Sequence, residues 1–290
     1  MDEIGLVLEG GGMRGVYTAG ILEYFMEREL FPPYVIGVSA GACNAASYIA
    51  RQKGRNRRVT VDFVNHPRYL GFRNLIREKS IFGMKLIFDE IPNRIVPFDF
   101  DTFEASPQKF VVGTTNCVTG ETYYIRKGGR PMLPVIQASS SLPFLAQPME
   151  MDGRILMDGG VTDPIPVRKA IADGYQRNII VLTRDKDYRK KPSNLGWLAR
   201  SVYPKYEGLR EALARRYAVY NDTLELIRTL EEEGTAFVMR PREPLPVGRM
   251  GKDSKKLNAV YEQGYRDAME QYDRLTEWMN RENRTGGDKP

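Results

Sequence analysis

The 290-residue sequence predicts an α/β fold: a mainly parallel central sheet flanked by helices on both faces, with further helices toward the C-terminal end. Three observations carry this expectation. The apolar run Ile4–Leu8 leads into the turn Gly10-Gly11-Gly12-Met13-Arg14-Gly15, and a helical pattern follows. A second short apolar run, residues 35–38, leads into Gly37-Val38-Ser39-Ala40-Gly41 and a second helical pattern. Successive strand–turn–helix units also need crossovers, which make the strands parallel and set helices against the sheet.

The elements follow in order. Residues 13–28 carry Val16, Ala19, Ile21, Leu22 and Phe25 at helical spacing. Residues 40–51 form a helix rich in small side chains, which allows close packing. Residues 68–100 interleave apolar side chains with Arg and Lys, a pattern for one or two short amphipathic helices that either pack down or cap a substrate. Residues 110–115 and 122–125 read as strands around the turn Val118-Thr119-Gly120-Glu121, and residues 135–141 as a short helix ending before Pro143. Residues 154–157 lead into Asp158-Gly159-Gly160, and residues 179–183 form another buried strand. Two long helices, 207–233 and 254–282, bracket a strand at 235–239, and the polar tail 284–290 is expected to fray. No repeat or domain boundary is visible. The chain reads as one domain, 1–290, with a motif-bearing core at about 4–183 and a helical region at about 184–283.

Composition excludes several classes. The two cysteines, Cys43 and Cys117, make no disulfide framework and have no neighbours at metal-ligand spacing. The single histidine, His66, leaves little for a zinc site, so no metal or cofactor is expected. No secretory signal or membrane-spanning run is visible, which points to a cytoplasmic protein. The formal net charge is +6, with basic clusters at residues 51–58 and 184–191. These are solvated faces or contacts to anionic lipid, giving peripheral membrane contact as an expectation. No motif supports nucleic acid. Oligomeric state is left unassigned.

The chemistry lies in the turns. Gly37-x-Ser39-x-Gly41 has the form of a nucleophile elbow, whose flanking glycines permit a tight strand-to-helix turn that lifts the serine hydroxyl out of the core. The loop Gly10–Gly15 presents backbone N–H groups at a helix N-terminus, suited to an oxyanion. Gly10-x-Gly12-x-x-Gly15 also fits a dinucleotide fingerprint, but the second strand ends in Gly37-Val38-Ser39 without the acidic residue that would hold a ribose. A base must be found without relying on histidine. His66 precedes Pro67 and reads as a loop residue, whereas Asp158 follows an apolar run and precedes two glycines that open space around it. A desolvated aspartate serves as a base toward serine if the oxyanion site carries much of the barrier.

Together, Gly-Gly-Gly-Met-Arg-Gly, Gly-Val-Ser-Ala-Gly and Asp-Gly-Gly, in that order, resemble the patatin-like phospholipase family of serine acyl hydrolases. Ala138-Ser139-Ser140-Ser141-Leu142-Pro143 resembles a further block of that family. The resemblance implies a three-layer α/β fold and lipid acyl-hydrolase activity. It implies Ser39 as nucleophile, Asp158 as base, and Gly11, Gly12 and Met13 as backbone donors to the oxyanion, with Arg14 at the family's basic position. One departure is Val161-Thr162-Asp163-Pro164-Ile165-Pro166, where many members carry an asparagine before the final proline; this bears on pocket shape. The expected function is therefore hydrolysis of a lipid ester, as phospholipase, lysophospholipase or esterase. The alternatives are a non-catalytic lipid-binding protein on the same fold and a dinucleotide-binding oxidoreductase. Residues 184–290 offer no motif for chemistry.

Overall fold

A computed structural model of the chain describes residues 3–281; the polar tail 284–290 lies outside the described residues. Strand β1 (Ile4–Leu8) is buried throughout and ends in the glycine loop. One turn of 3-10 helix, Gly12–Gly15, then feeds α1 (Val16–Glu27). Strand β2 (Tyr34–Gly37) runs through Ser39 into α2 (Ala40–Ile49). Short helices α3 (Arg55–Arg57), α4 (Phe72–Glu78) and α5 (Phe100–Ala105) follow. Between α4 and α5 the chain winds wide, as the π-helical segment Leu86–Ile95 with Pro92 inside it. Next come β3 (Lys109–Asn116), β4 (Thr122–Arg126), α6 (Leu133–Ser139), β5 (Met149–Met151) and β6 (Arg154–Asp158). The chain closes with α7 (Val167–Ala172), β7 (Arg177–Val181), α8 (Gly196–Val202), α9 (Glu207–Glu232), β8 (Ala236–Met239) and α10 (Ser254–Asn280).

One mixed sheet runs in the order β5-β6-β3-β2-β1-β7-β8, with β4 paired to β3 off that path. The links β3-β2, β2-β1, β1-β7 and β7-β8 are parallel, as the strand–helix alternation dictates. The links of β3 to β4 and β6, and of β5 to β6, are antiparallel. The period of two along the strands separates two cores. Leu6 and Leu8 pack with α1, α2 and α10, while Val7, Ile36 and Ile180 pack with α7 and α9.

Helix α10 is long and charged, yet Leu257, Val260, Tyr261, Gly264, Ala268, Leu275 and Trp278 form one buried stripe at helical spacing. That stripe lies along α1, where the Tyr17 hydroxyl donates to Asp267 at 2.7 Å and Tyr24 meets the rings of Tyr265 and Tyr272 edge-on. Asp253 caps its first turn by accepting the N–H groups of Lys255 and Lys256. The Arg177 guanidinium donates to the carbonyls of Trp278, Met279 and Arg281 at its last turn, where the helix dipole favours a cation.

The register of β3 decides where the site forms. Val111 and Val112 pair with β2 on one edge and with β4 on the other. Beyond the end of β2, Thr114 pairs with Tyr123 of β4 and with Asp158 of β6. Strand β6 therefore occupies the edge that β2 vacates. The C-terminal end of β6 arrives beside the end of β2, and Asp158 beside the turn that carries Ser39.

Candidate active site

Ser39 sits at φ 53° and ψ −125°, a backbone conformation that L residues rarely adopt. The fold holds it there from both sides. The Ser39 N–H donates to Ser139 Oγ at 2.8 Å, and that hydroxyl donates onward to the Gly113 carbonyl at 2.6 Å. Gly41 lets α2 start so close to the end of β1 that an added Cβ would lie 2.5 Å from the Leu8 carbonyl oxygen.

Asp158 is fully enclosed, and its backbone is tied on both sides: its N–H donates to the Ser141 carbonyl at 2.9 Å, and its own carbonyl accepts from Thr115 Oγ1 at 2.8 Å. Oδ1 accepts the Gly160 N–H at 2.7 Å, and Oδ2 has no partner of ordinary hydrogen-bond geometry. Burial pushes the carboxyl pKa up; a hydrogen-bonding influence from the Ser39 hydroxyl and the charge of Arg216 pull it partly back. A long or poorly aligned serine–aspartate contact is common in unliganded sites and tightens only around a substrate. Arg216 also donates from Nε to the Gly160 carbonyl at 2.6 Å, fixing the Asp-Gly-Gly turn.

The glycine loop offers fewer free donors than its sequence suggests. The Gly10 N–H donates to the Pro164 carbonyl at 3.2 Å and the Met13 N–H to the Arg249 carbonyl at 3.0 Å. Among the described residues the N–H groups of Gly11 and Gly12 have no such partner. The stretch that departs from the family pattern thus helps hold the loop, since Asp163 accepts the Tyr124 hydroxyl one residue before Pro164.

Two cavities meet at Ser39. The first is polar, opens to solvent, and is lined by Gly10, Gly11, Gly12, Ser39, Asp158 and Gly160 among others. The second is apolar and roomier, walled by Met13, Val16, Tyr69, Phe82, Met84, Ile87 and Phe88. Gly12, Ser39 and Leu142 line both. The segment 68–100 is thus divided in role. Phe82, Met84, Ile87 and Phe88 face the apolar cavity, whereas Phe72 and Ile76 of α4 stand exposed to solvent at 79% and 86%.

Other residues singled out in the sequence lie elsewhere. His66 lines neither cavity; its Nδ1 accepts the Arg68 N–H at 3.2 Å. Three arginines of the first basic cluster are held by neighbouring side chains and backbone, whereas Arg58 is exposed. Arg51 lies over the Phe31 ring at 3.2 Å, Arg55 donates to Ser47 Oγ and the Val96 carbonyl, and Arg57 donates to Asn258. Both cysteines are free thiols; Cys43 lines the apolar cavity and burial pushes it up to about 11. No cluster of ligating side chains that could hold a metal occurs among the described residues.

Apart from Glu9, the cavity residues that the motifs do not reveal come from the chain after residue 183. Arg184, Tyr188, Lys190, Arg216, Tyr220 and Arg249 all line the polar cavity, although they are scattered over loops and α9. In the sequence, only the basic run 184–191 points to any of them.

The patatin-like phospholipase model matches residues 6–171, more than half of the chain. The chain belongs to this family. A second model, a domain of unknown function, matches residues 206–280, the region of α9 through α10. An uncharacterized Escherichia coli K12 protein, YjjU, is 26% identical over 272 residues, covering 90% of this chain and 74% of that protein. An uncharacterized NTE family protein of Mycobacterium tuberculosis, Rv1063c, is 26% identical over 57% of this chain and 44% of its own length. Lysophospholipase NTE1 of Scheffersomyces stipitis is 29% identical over 67% of this chain, which spans only 12% of that enzyme. A crystal structure of VipD from Legionella pneumophila aligns with a TM-score of 0.47 at 14% identity, covering 94% of this chain and 67% of that one. No helix among the described residues is long and apolar enough to cross a membrane.

Proposed function

We propose that this patatin-like protein is a serine hydrolase of lipid acyl esters, working through a Ser39–Asp158 dyad. The observation that carries the reading is the position of Ser39, held in a strained turn where an apolar cavity meets a polar one that contains a buried, partly unsatisfied carboxylate. Ser39 Oγ attacks the ester carbonyl carbon while Asp158 Oδ2 takes the hydroxyl proton. The free N–H groups of Gly11 and Gly12 hold the oxyanion. Collapse of the tetrahedral intermediate expels the alcohol, which takes the proton back from Asp158. Water then adds to the acyl-enzyme with the same base and releases the fatty acid. The raised pKa of Asp158 makes it a stronger base than an exposed aspartate, which suits a dyad without histidine. The name of the Scheffersomyces stipitis relative, a lysophospholipase, supports a lipid ester as substrate.

The helices after residue 184 complete the same domain, since α10 packs on α1 and α9 supplies Arg216 and Tyr220 to the polar cavity. Turnover of p-nitrophenyl esters of increasing chain length by the native chain and by Ser39→Ala tests the reading. Hydrolysis that rises with chain length and vanishes in Ser39→Ala is expected; hydrolysis retained by the variant would overturn it.

A further inference from the structure

The polar cavity holds far more positive charge than the dyad needs. Arg14, Arg184, Lys190, Arg216 and Arg249 line it, against the carboxylates of Glu9 and Asp158. Glu9 is already occupied, accepting from the Tyr220 hydroxyl at 2.7 Å, from Thr183 Oγ1 at 3.0 Å and from the Thr183 N–H. Among the described residues, none of the five cations forms an ion pair. Arg14 is only 6% exposed and its Nε has no partner. Arg184 and Lys190 rest on the rings of Tyr188 and Tyr220, which hold them at the cavity.

Five buried or half-buried cations against two carboxylates leave a surplus of positive charge, which is costly to desolvate and which an anion arriving from outside would offset. The crowding is visible in Lys190, pushed down to about 7 by burial and by the neighbouring charges of Arg216 and Arg249. A bound anion would relieve that pressure. The planar forks of four arginines suit a tetrahedral, multiply charged oxyanion, which accepts several N–H bonds at once. The sharing of Ser39 fixes which half of the substrate this is. With the acyl chain along Met13, Phe82 and Phe88 and the ester carbon at Ser39, the alcohol half points into the basic cavity.

We propose that this cavity binds a phosphomonoester dianion on the alcohol half of the substrate, so that the chain prefers a monoacyl glycerol phosphate to a choline-bearing lipid. A quaternary ammonium headgroup would instead bring a cation among five others. The inference rests on the acyl-hydrolase reading for the position of the ester, and its test is binding without turnover.

Ser39→Ala protein is titrated calorimetrically, below the micellar range, with monooleoyl glycerol 3-phosphate, monooleoyl glycerophosphocholine and inorganic phosphate. The phosphomonoester lipid should bind about tenfold or more tightly than the choline lipid, and Arg184→Gln or Arg249→Gln should each abolish most of that preference. Inorganic phosphate alone should bind about tenfold or more weakly than the phosphomonoester lipid. A smaller preference between the two lipids, or one that survives both arginine changes, overturns the proposal. Inorganic phosphate binding as tightly as the lipid makes the cavity a free-phosphate site and overturns the headgroup assignment. Failure of the hydrolase reading shows separately, as absence of Ser39-dependent cleavage of an uncharged p-nitrophenyl ester.

Discussion

Ser139→Ala removes one oxygen atom and tests how the elbow is held. Ser139 is fully enclosed at the end of α6, and its hydroxyl bridges the Ser39 N–H and the Gly113 carbonyl. Both bridged groups are backbone polar groups in the interior. Losing a hydrogen bond and leaving a buried backbone N–H unsatisfied costs about 1–3 kcal/mol, and weakening the Gly113 contact adds about 1 kcal/mol. The expected destabilisation is therefore about 2–4 kcal/mol by urea unfolding. The Ser39 backbone conformation itself stores about 1–3 kcal/mol, so an elbow without its tether relaxes toward commoner angles. A hydroxyl displaced by about 1 Å loses on the order of a hundredfold in rate. Ser141→Ala is the control, because the Ser141 hydroxyl is equally enclosed but only returns to the Gln137 carbonyl one helical turn back. It should cost less than about 1 kcal/mol and leave the rate of ester cleavage near native. If the two variants match each other in both unfolding and rate, Ser139 does not hold the elbow.

Three further outcomes are expected. Gly12→Ala places a Cβ 2.6 Å from the Arg249 carbonyl oxygen at φ +59°, so the loop must move; kcat should fall by about a hundredfold or more with KM little changed, measured by steady-state kinetics. Asp158 must be ionised to act, and burial raises its pKa, so kcat/KM should climb with pH along an acid limb lying above the ordinary 3.8; Arg216→Gln removes a charge that lowers this pKa and should move the limb higher. Lys190 is charged in the unfolded chain up to about 10.5 but only up to about 7 in the fold, so its burial penalises folding most below pH 7 and less as pH rises through that window. Lys190→Met should then stabilise the protein at pH 7 by about 1–2 kcal/mol, discounted for the water that reaches the side chain, with a smaller gain in Tm at pH 10.

The parts of this molecule that a reader of the sequence can foresee are those encoded locally. Apolar runs of four or five residues followed by glycine turns mark β1 and β2, because a strand buried on both faces needs continuous apolar sequence. The serine elbow and the Asp-Gly-Gly turn are legible for the same reason. What escapes is encoded by pairing at a distance. Nothing near Asp158 says that β6 is antiparallel or that it fills the edge of β3 that β2 leaves open. Strand β5, three half-buried or exposed residues, has no pattern to find. The widened helix at 86–95 hides behind an ordinary amphipathic pattern because Pro92 gives no sign of which way the turn opens.

Charge is the least legible feature. Arg51, Arg55 and Arg57 look like a surface cluster, yet Arg51 and Arg55 fold back over the Phe31 and Phe98 rings, Arg55 donates to the Val96 carbonyl, and Arg57 donates to the Asn258 side chain. The cations that surround Ser39 are spread over residues 14 to 249 and converge only in three dimensions. Met13 shows the same effect on a backbone group: its N–H belongs to the glycine loop by sequence, but the Arg249 carbonyl accepts it, whereas the N–H groups of Gly11 and Gly12 have no such partner among the described residues.

The central claim, that Ser39 is a nucleophile activated by Asp158, is tested most directly by the rate of fluorophosphonate labelling with the modified residue located by peptide mass spectrometry. The native chain should be labelled once, at Ser39. Ser39→Ala should not be labelled, and Asp158→Asn should react about a thousandfold more slowly while unfolding at a temperature close to native. His66→Ala should react at nearly the native rate, since His66 lines neither cavity. Stoichiometric labelling of another serine, or a His66→Ala variant as impaired as Asp158→Asn, would contradict the account.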